Sequence, residues 1–436
     1  MGTLLERLAP AQLGPKYRWL LSSSWVGNLG EGIAFSAGPL LVASQTHSAF
    51  LVAIAALLQR LPWLLFGLHA GVIADRVDRR LLLISSECFR VTVIVILCLW
   101  IFTGTVNIAV VLVAMLLLGV SDVFTATTSS TLLPMLVTEA ELGIANSRLQ
   151  GSVVIGQQLF GAPLGALLFT IGHGWPFFTQ AILVTLALML VARIGEARAR
   201  DRHDSHDSHD SQDPHDFQNS HDSHNAEHAG AAGRTTVAEE IRQGLSWILG
   251  HPPVRTLALI ILSFNITWGA AWSVLVLYAL RHLHMSEFGY GLLTTASAAG
   301  GIFTMVTYGR IEALWSLSKI MKVCLTLEVL MHLALALNDS GAVAIVILLI
   351  FGAYSLVWGI VSQTVRQRAV PQELQGRVGS VYLMCVFGGV VIGQLLGGLI
   401  AARWGVVAPF WFAFIGSGLT LAAVWRQLSD IAHTKA

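Results

Sequence analysis

Val153-Val-Ile-Gly-Gln157 recurs unchanged as Val390-Val-Ile-Gly-Gln394, 237 residues downstream. The same offset carries Asn28, Gly32, Ser36 and Leu40 onto Asn265, Gly269, Ser273 and Leu277. It also carries Pro134 onto Pro371, Gly151 onto Gly388, Leu159 onto Leu396 and Gly161 onto Gly398. A five-residue identity at one fixed offset arises by chance with odds of roughly one in 10⁵ per position. The matches fall at corresponding places in the two halves, so duplication is the better reading. Two parallel repeats of apolar helices are a transporter arrangement, with the ligand site near mid-membrane between them.

The composition supports a membrane chain. Of 436 residues, 55% are hydrophobic and 12% are charged, against about 25% charged in a soluble domain. The mean hydropathy is +0.69. These values exclude a soluble globular enzyme, a disordered regulator and a nucleic-acid binder. Twelve apolar runs stand out, near residues 19–43, 50–74, 81–103, 108–128, 149–171 and 176–194, then 254–280, 289–307, 318–337, 342–362, 379–402 and 406–425. Runs of this length span a bilayer as α-helices, which satisfy their backbone groups internally. The first run is too long for a cleavable signal and reads as a signal anchor. Cys88, Cys98, Cys324 and Cys385 lie inside apolar runs and read as buried thiols without disulfides.

Lys and Arg set the orientation. With both termini cytoplasmic, Arg281 and Arg403 fall near the outer face, and Arg60 and Arg90 fall inside spans. The remaining basic residues lie in the tails or the connections on the inner side, as the positive-inside rule requires. One segment breaks the pattern. Residues 201–230 hold seven of the 15 histidines and eight acids against one Arg. The segment cannot form an apolar core. Its repeated His-Asp-Ser offers donors for Zn, Ni or Cu but no fixed ligand spacing, so it reads as a tether and no metal site is assigned. The expected organisation is therefore a six-helix bundle over 1–195, a cytoplasmic His/Asp-rich linker over 196–250 and a second six-helix bundle over 251–436.

The connection between spans two and three reads Gly71-Val-Ile-Ala-Asp75-Arg76-Val-Asp78-Arg79-Arg80. Gly71 permits close helix approach. Asp75 is expected near the start of the third helix, where an anion is favoured. Arg76, Arg79 and Arg80 can pair with carboxylates or helix carbonyls and latch one end of a rocking structure. The pattern resembles the major facilitator superfamily loop G-x-x-x-D-R-x-G-R-R, with Asp78 in place of the second glycine. Residues 57–80, Asn28-Leu-Gly-Glu31-Gly and the segment from Leu133-Pro134 to Glu139 are similar to the drug:proton antiporter branch, which includes the enterobactin exporter and macrolide efflux proteins. The fifth span carries Gly156, Gly161, Pro163 and Gly165, close to that superfamily's G-x-x-x-G-P-x-x-G-G, with Ala162 and Ala166 as departures. Small residues there allow close packing and Pro163 can kink the helix. The resemblance implies the twelve-helix all-α major facilitator fold and export of a small amphipathic molecule.

Ionisable residues inside spans are expensive and tend to be functional. Glu31 in span one and Asp122 in span four are the proton-coupling candidates. Arg60 in span two needs a partner, with Glu31 or Asp122 as candidates. Glu87 and Arg90, three apart, are expected to neutralise each other. Glu328 and His332, four apart, are expected to pair or to face a water-filled path. Span four lacks the arginine that serves many antiporters of a neighbouring branch, so that branch's relay does not transfer. Polar and aromatic residues at helical spacing are the substrate-binding candidates: Asn28, Arg60, Gln157, Asn265, Trp268, Trp272, Tyr354, Trp358 and Gln394. Trp63, Trp100, Trp175, Trp404, Trp411 and Trp425 read as interfacial or lipid-packed. No phosphate-binding loop, zinc spacing or nucleophile–base arrangement is visible.

The expected protein is a non-enzymatic, cofactor-free, monomeric transporter of the cell membrane. Its expected cycle is proton-coupled efflux of a drug, siderophore or secondary metabolite by alternating access. An importer or lipid flippase of the same fold, or a metal-responsive sensor, is the alternative.

Overall fold

The computed structural model describes residues 13–138, 141–193 and 237–428. The described residues form long helices: α1 (Gly14–Gln45), α2 (Ala49–Arg76), α3 (Arg79–Phe102), α4 (Ile108–Leu132), α5 (Leu142–Ile171) and α6 (Trp175–Ala192). After α7 (Val237–Gly250) come α8 (Pro252–His282), α9 (Glu287–Leu314), α10 (Leu317–Leu337), α11 (Gly341–Ala369), α12 (Gln375–Trp404) and α13 (Ala408–Val424). Among the described residues, nine helices are long and apolar enough to cross a membrane. The other three expected spans are α1, α9 and α13. α13 is a shorter apolar helix. α1 is diluted by Ser22–Ser24, Asn28 and Glu31, and α9 by Gly, Ser and Thr.

Short polar residues start the helices where chain reversal is tight. Ser48, Asp78, Asn107, Ser286 and Ser316 each accept a backbone N–H from the first turn, satisfying a donor that has no partner within the helix. Several helices overrun the apolar runs. α5 begins at Leu142 rather than near 149, and α11 continues to Ala369.

The packing repeats the sequence duplication. In the first bundle α1 lies against α5 and α6, α2 against α4, and α3 against α4 and α6. In the second, α8 lies against α12 and α13, α9 against α11, and α10 against α11 and α13. The bundles exchange helices symmetrically, α2 packing on α12 and α5 on α9. Glycine makes the closest approaches. A Cβ on Gly119 would lie 2.5 Å from the Gln59 carbonyl oxygen and 3.1 Å from Pro62. Gly300 and Gly352 admit the backbones of Leu349 and Ser297 between α9 and α11 in the same way.

Two expectations are revised. Residues 237–250, assigned to the linker, form helix α7, which rests on α12. Ile248 is buried, and a Cβ on Gly244 would meet the Arg377 carbonyl at 2.5 Å. The His/Asp-rich stretch itself lies outside the described residues. Cys88 is exposed, whereas Cys98 and Cys324 are buried.

α5 departs from its counterpart. Residues Ser152–Gly161 are wound as a π-helix, while the same Val-Val-Ile-Gly-Gln in α12 is ordinary α-helix. The register also differs, already at this segment: the Gln157 backbone lies on Gly32, whereas Val390, the equivalent of Val153, lies on Gly269, the equivalent of Gly32. Gly165 packs on Ile33 and Ser36, and Gly397 packs on Ala270 and Ser273, which are the equivalents of Ile33 and Ser36. The 237-residue offset would instead pair Gly165 with position 402, five residues beyond Gly397. A wide π turn at this place is of the kind that recurs at functional sites.

Candidate functional site

A cavity of about 570 Å³ opens inside the N-terminal bundle. Its wall takes residues from α1 to α6, including Asn28, Glu31, Arg60, Trp63, Asp122 and Gln157. It runs from mid-helix toward the face where α1 begins and α6 ends, since Leu20, Asn146 and Val191 also line it.

Arg90 organises the charges. Its Nη1 lies 2.7 Å from Glu31 Oε1 and 3.7 Å from Glu87 Oε1, and its Nη2 donates to Asp122 Oδ1. The side chain of Arg90 is 4% exposed and that of Glu87 10%, against 28% for Glu31 and 31% for Asp122. The guanidinium is therefore sunk behind two carboxylates that face the cavity. Arg60 is within electrostatic reach of Asp122 and Glu31. With every group ionised, three carboxylates and two guanidiniums leave one negative charge. A buried excess charge is costly, so this constellation has room for one cation or one proton.

Arg90 pairs with Glu87 as expected, but its nearer partners are Glu31 and Asp122. The two carboxylates expected for Arg60 are shared: they contact Arg90 directly and act on Arg60 electrostatically. The sequence carried the signal, a basic residue inside span three with acids in spans one, three and four. The i,i+3 spacing to Glu87 marks only the farthest of the three partners.

Asn28 ties helices together as well as lining the wall. Its Nδ2 donates to Ser24 Oγ and Ser152 Oγ, both at 3.0 Å, which joins α1 to the start of the π segment. Just beyond, Gly156 lies on Asn28, and a Cβ on Gly161 would be 2.6 Å from Gly32 Cα. Gly165 meets Ile33 and Ser36, and Pro163 sits in the first turn after the π segment. Gln157 is on the cavity wall, whereas Gln394 is buried with its Oε1 unpartnered among the described residues.

The candidates of the second bundle stand apart from this cavity. Asn265 donates to the Ile261 carbonyl of its own helix at 2.7 Å. Trp268 and Trp272 stack at 5.1 Å, Trp272 meets Phe351 at 4.6 Å, and Trp358 stacks on Phe264 at 6.2 Å. Tyr354 bonds to Glu328. These residues pack on one another, so the cavity wall belongs to the first bundle. Trp63, read as lipid-facing, is on the wall and stacks on Phe387 of α12 at 5.2 Å, bridging the bundles.

The loop after α2 also differs from expectation. Asp75 belongs to the last turn of α2 rather than to the start of α3. The side chains of Asp75 and Arg76 lie outside the described residues. The cap of α3 is Asp78, whose Oδ1 accepts Leu81 N–H at 2.7 Å. Arg80 donates to the Ala192 carbonyl at the end of α6 at 2.7 Å, where a helix dipole favours a cation. Arg79 donates toward Met135 Sδ at 3.1 Å. No described atom comes within 4 Å of a Cβ placed on Gly71, so the expected close approach is absent in this conformation. On the opposite face the bundles touch: Arg281 donates to the carbonyls of His47 at 3.0 Å and Thr46 at 3.4 Å.

No curated protein sequence matches the chain. Solved structures match along nearly its whole length. The nucleoside transporter NupG, in a point-mutant form, aligns with a TM-score of 0.72 at 10% identity, over 96% of this chain and 100% of that one. A bacterial homologue of the iron transporter ferroportin, in an inward-facing state, gives 0.71 at 13% identity over 95% and 98%. A bacterial homologue of the human lysosomal transporter Spinster, inward-facing and unoccupied, gives 0.64 at 13% over 97% and 96%. The sequence itself fits the family model described as MFS_1 like family over residues 34–413. With that match and a duplicated helical fold shared with these transporters, the chain belongs to the MFS_1-like family and is a multi-pass membrane transporter of the major facilitator fold.

Proposed function

We propose that the protein exports a small amphipathic compound, a drug, siderophore or secondary metabolite, in exchange for protons. The observation that carries this reading is the Glu31–Arg90–Asp122 constellation with its single excess negative charge on the cavity wall. A proton and a positively charged or strongly polar cargo group are alternative ways to balance that charge. Binding one of them changes which bundle arrangement is favoured, because a ligand shifts an equilibrium only through unequal affinity for the two states. Arg60, Trp63 and Gln157 would contact the cargo. Asp75, Arg76, Arg79 and Arg80 would form the latch on the cytoplasmic face. The termini and the 196–250 segment would lie on that face of the cell membrane. The protein would act as a monomer and leave the cargo chemically unchanged.

The descriptions of these structures name a nucleoside transporter for one and a homologue of an iron transporter for another, so the cargo class here rests on the cavity's charge and on Trp63 in its wall. The test is uptake of dyes, antibiotics and siderophores by inside-out vesicles energised with a pH gradient. Gradient-driven accumulation that disappears in Glu31→Gln, with normal insertion of the variant, is the expected result. Undiminished transport by that variant would remove Glu31 from the cycle. Accumulation only in vesicles of the opposite orientation would make the protein an importer.

A further inference from the structure

The C-terminal bundle buries a titratable group that the cycle above leaves unused. Glu328 and His332 lie one turn apart on α10. With the ring proton on Nε2, His332 donates to Glu328 Oε1 at 3.1 Å. Tyr354 on α11 donates its hydroxyl to Glu328 Oε2 at 2.6 Å. His332 is fully buried, and Glu328 and Tyr354 nearly so. Nδ1 of His332 has no hydrogen-bond partner among the described residues.

Among the described residues, the surroundings supply no other charge to balance the carboxylate. α10 packs on α11 and α13. α13 carries no titratable side chain, and in α11 Tyr354 is the one titratable residue before Arg366. On α10 the neighbouring group is the buried thiol of Cys324, one turn from Glu328. Lys319 and Lys322, nearer the helix start, lie over the rings of Trp315 and Trp425. An ionised Glu328 beside a neutral His332 would be an isolated negative charge in an apolar core, which is strongly disfavoured. One added proton, on either the imidazole or the carboxyl, makes the pair neutral overall. The repeat gives the pair a counterpart: the offset carries position 91, beside Arg90, onto Glu328. Each bundle thus buries titratable groups on its third helix, one set open to the cavity and the other sealed.

We infer that Glu328 and His332, positioned by Tyr354, form a second proton-binding site in the C-terminal bundle, separate from the cavity and holding one proton in this conformation. The inference goes beyond the proposed exchange and does not depend on its cargo. Release of that proton requires water to reach the pair, which a rearrangement of α10 against α11 provides.

The test uses the full chain in lipid nanodiscs with ¹⁵N-labelled histidine, and no cargo. His332→Gln identifies the His332 ring signals. Between about pH 5 and 9, the window in which histidine charge is commonly tuned, the ring signals of His332 are expected to change state. The same titration followed by infrared difference spectroscopy reports any carboxylic-acid proton on Glu328. In Glu328→Gln both changes are expected to be lost, with the histidine neutral throughout. In Tyr354→Phe the change is expected to persist with a displaced midpoint. His332 signals that stay those of a neutral imidazole throughout in the wild-type protein, with no acid band assignable to Glu328, would overturn the inference even if no variant folds. Failure of vesicle transport leaves this result untouched, so the two readings fail separately.

Discussion

Tyr17 and Tyr382 make the same hydrogen bond in opposite directions. The Tyr17 hydroxyl donates to the Ala145 carbonyl at 3.0 Å, and the Tyr382 hydroxyl donates to the Val254 carbonyl at 3.1 Å. The 237-residue offset carries Tyr17 onto Val254 and Ala145 onto Tyr382. The same two helix positions are clamped in each bundle, with the tyrosine on α1 in one and on α12 in the other. Each bond is buried and spans 128 residues of chain. Tyr17→Phe and Tyr382→Phe are each expected to destabilise by roughly 1 kcal/mol, the usual net worth of such a bond. The double variant should show the sum, since the sites share no partner. Thermal unfolding of the purified protein checks this, and a loss confined to one variant would show the clamps to be unequal.

Arg90 is the partner on which three carboxylates depend. Arg90→Leu leaves them facing one another without their central cation, and is expected to destabilise by about 3–5 kcal/mol. Glu87→Gln in the same chain should recover part of that loss, because it removes the least exposed of the three charges. Denaturation of the single and double variants reads the difference. A double variant no more stable than Arg90→Leu would place Glu87 outside the network.

Glycines in α5 differ sharply in tolerance. A Cβ on Gly165 would overlap the Ile33 carbonyl and the Ser36 hydroxyl, whereas one on Gly151 meets nothing within 4 Å. Gly165→Ala is expected to lower stability by about 1–3 kcal/mol through overpacking. Gly151→Ala should be neutral or gain up to ~1 kcal/mol from helix propensity. Gly397→Ala, on the equivalent contact of α12, should behave like Gly165→Ala. The three melting temperatures order the sites.

Arg281 holds the bundles together on the face away from the termini. Its guanidinium meets carbonyls just past the end of α1, where the helix dipole favours a cation. The contact is exposed, so its contribution is about 0.5–1 kcal/mol. Arg281→Ala is expected to raise the fraction of molecules open on that face by roughly two- to fivefold. Spin labels on Ser44 and Phe288 would register this as growth of a long-distance population. An unchanged distance distribution would make the contact incidental.

The duplication was legible from Val153–Gln157 and Val390–Gln394, and the approximate helix positions from the apolar runs. Both are local properties: an apolar run and a repeat each need only their own residues. Glu31 and Asp122 were legible as candidates too, because a carboxylate in an apolar run is conspicuous wherever the helix ends up. The partners were not. Spacing along one helix suggested Glu87 for Arg90, but the distance to Glu31 depends on how α1 and α3 cross.

Chain order and apolar periodicity alone determined the class, the two halves and the residues whose burial would be costly. The tertiary structure decided which of those residues meet, and the π-helix of α5 shows why. The same five residues in α5 and α12 wind differently and sit in different registers against α1 and α8. Gln157 is on the cavity wall, while Gln394 is packed inside. Helix winding is set by what packs against the turn, and a sequence repeat carries no information about its neighbours.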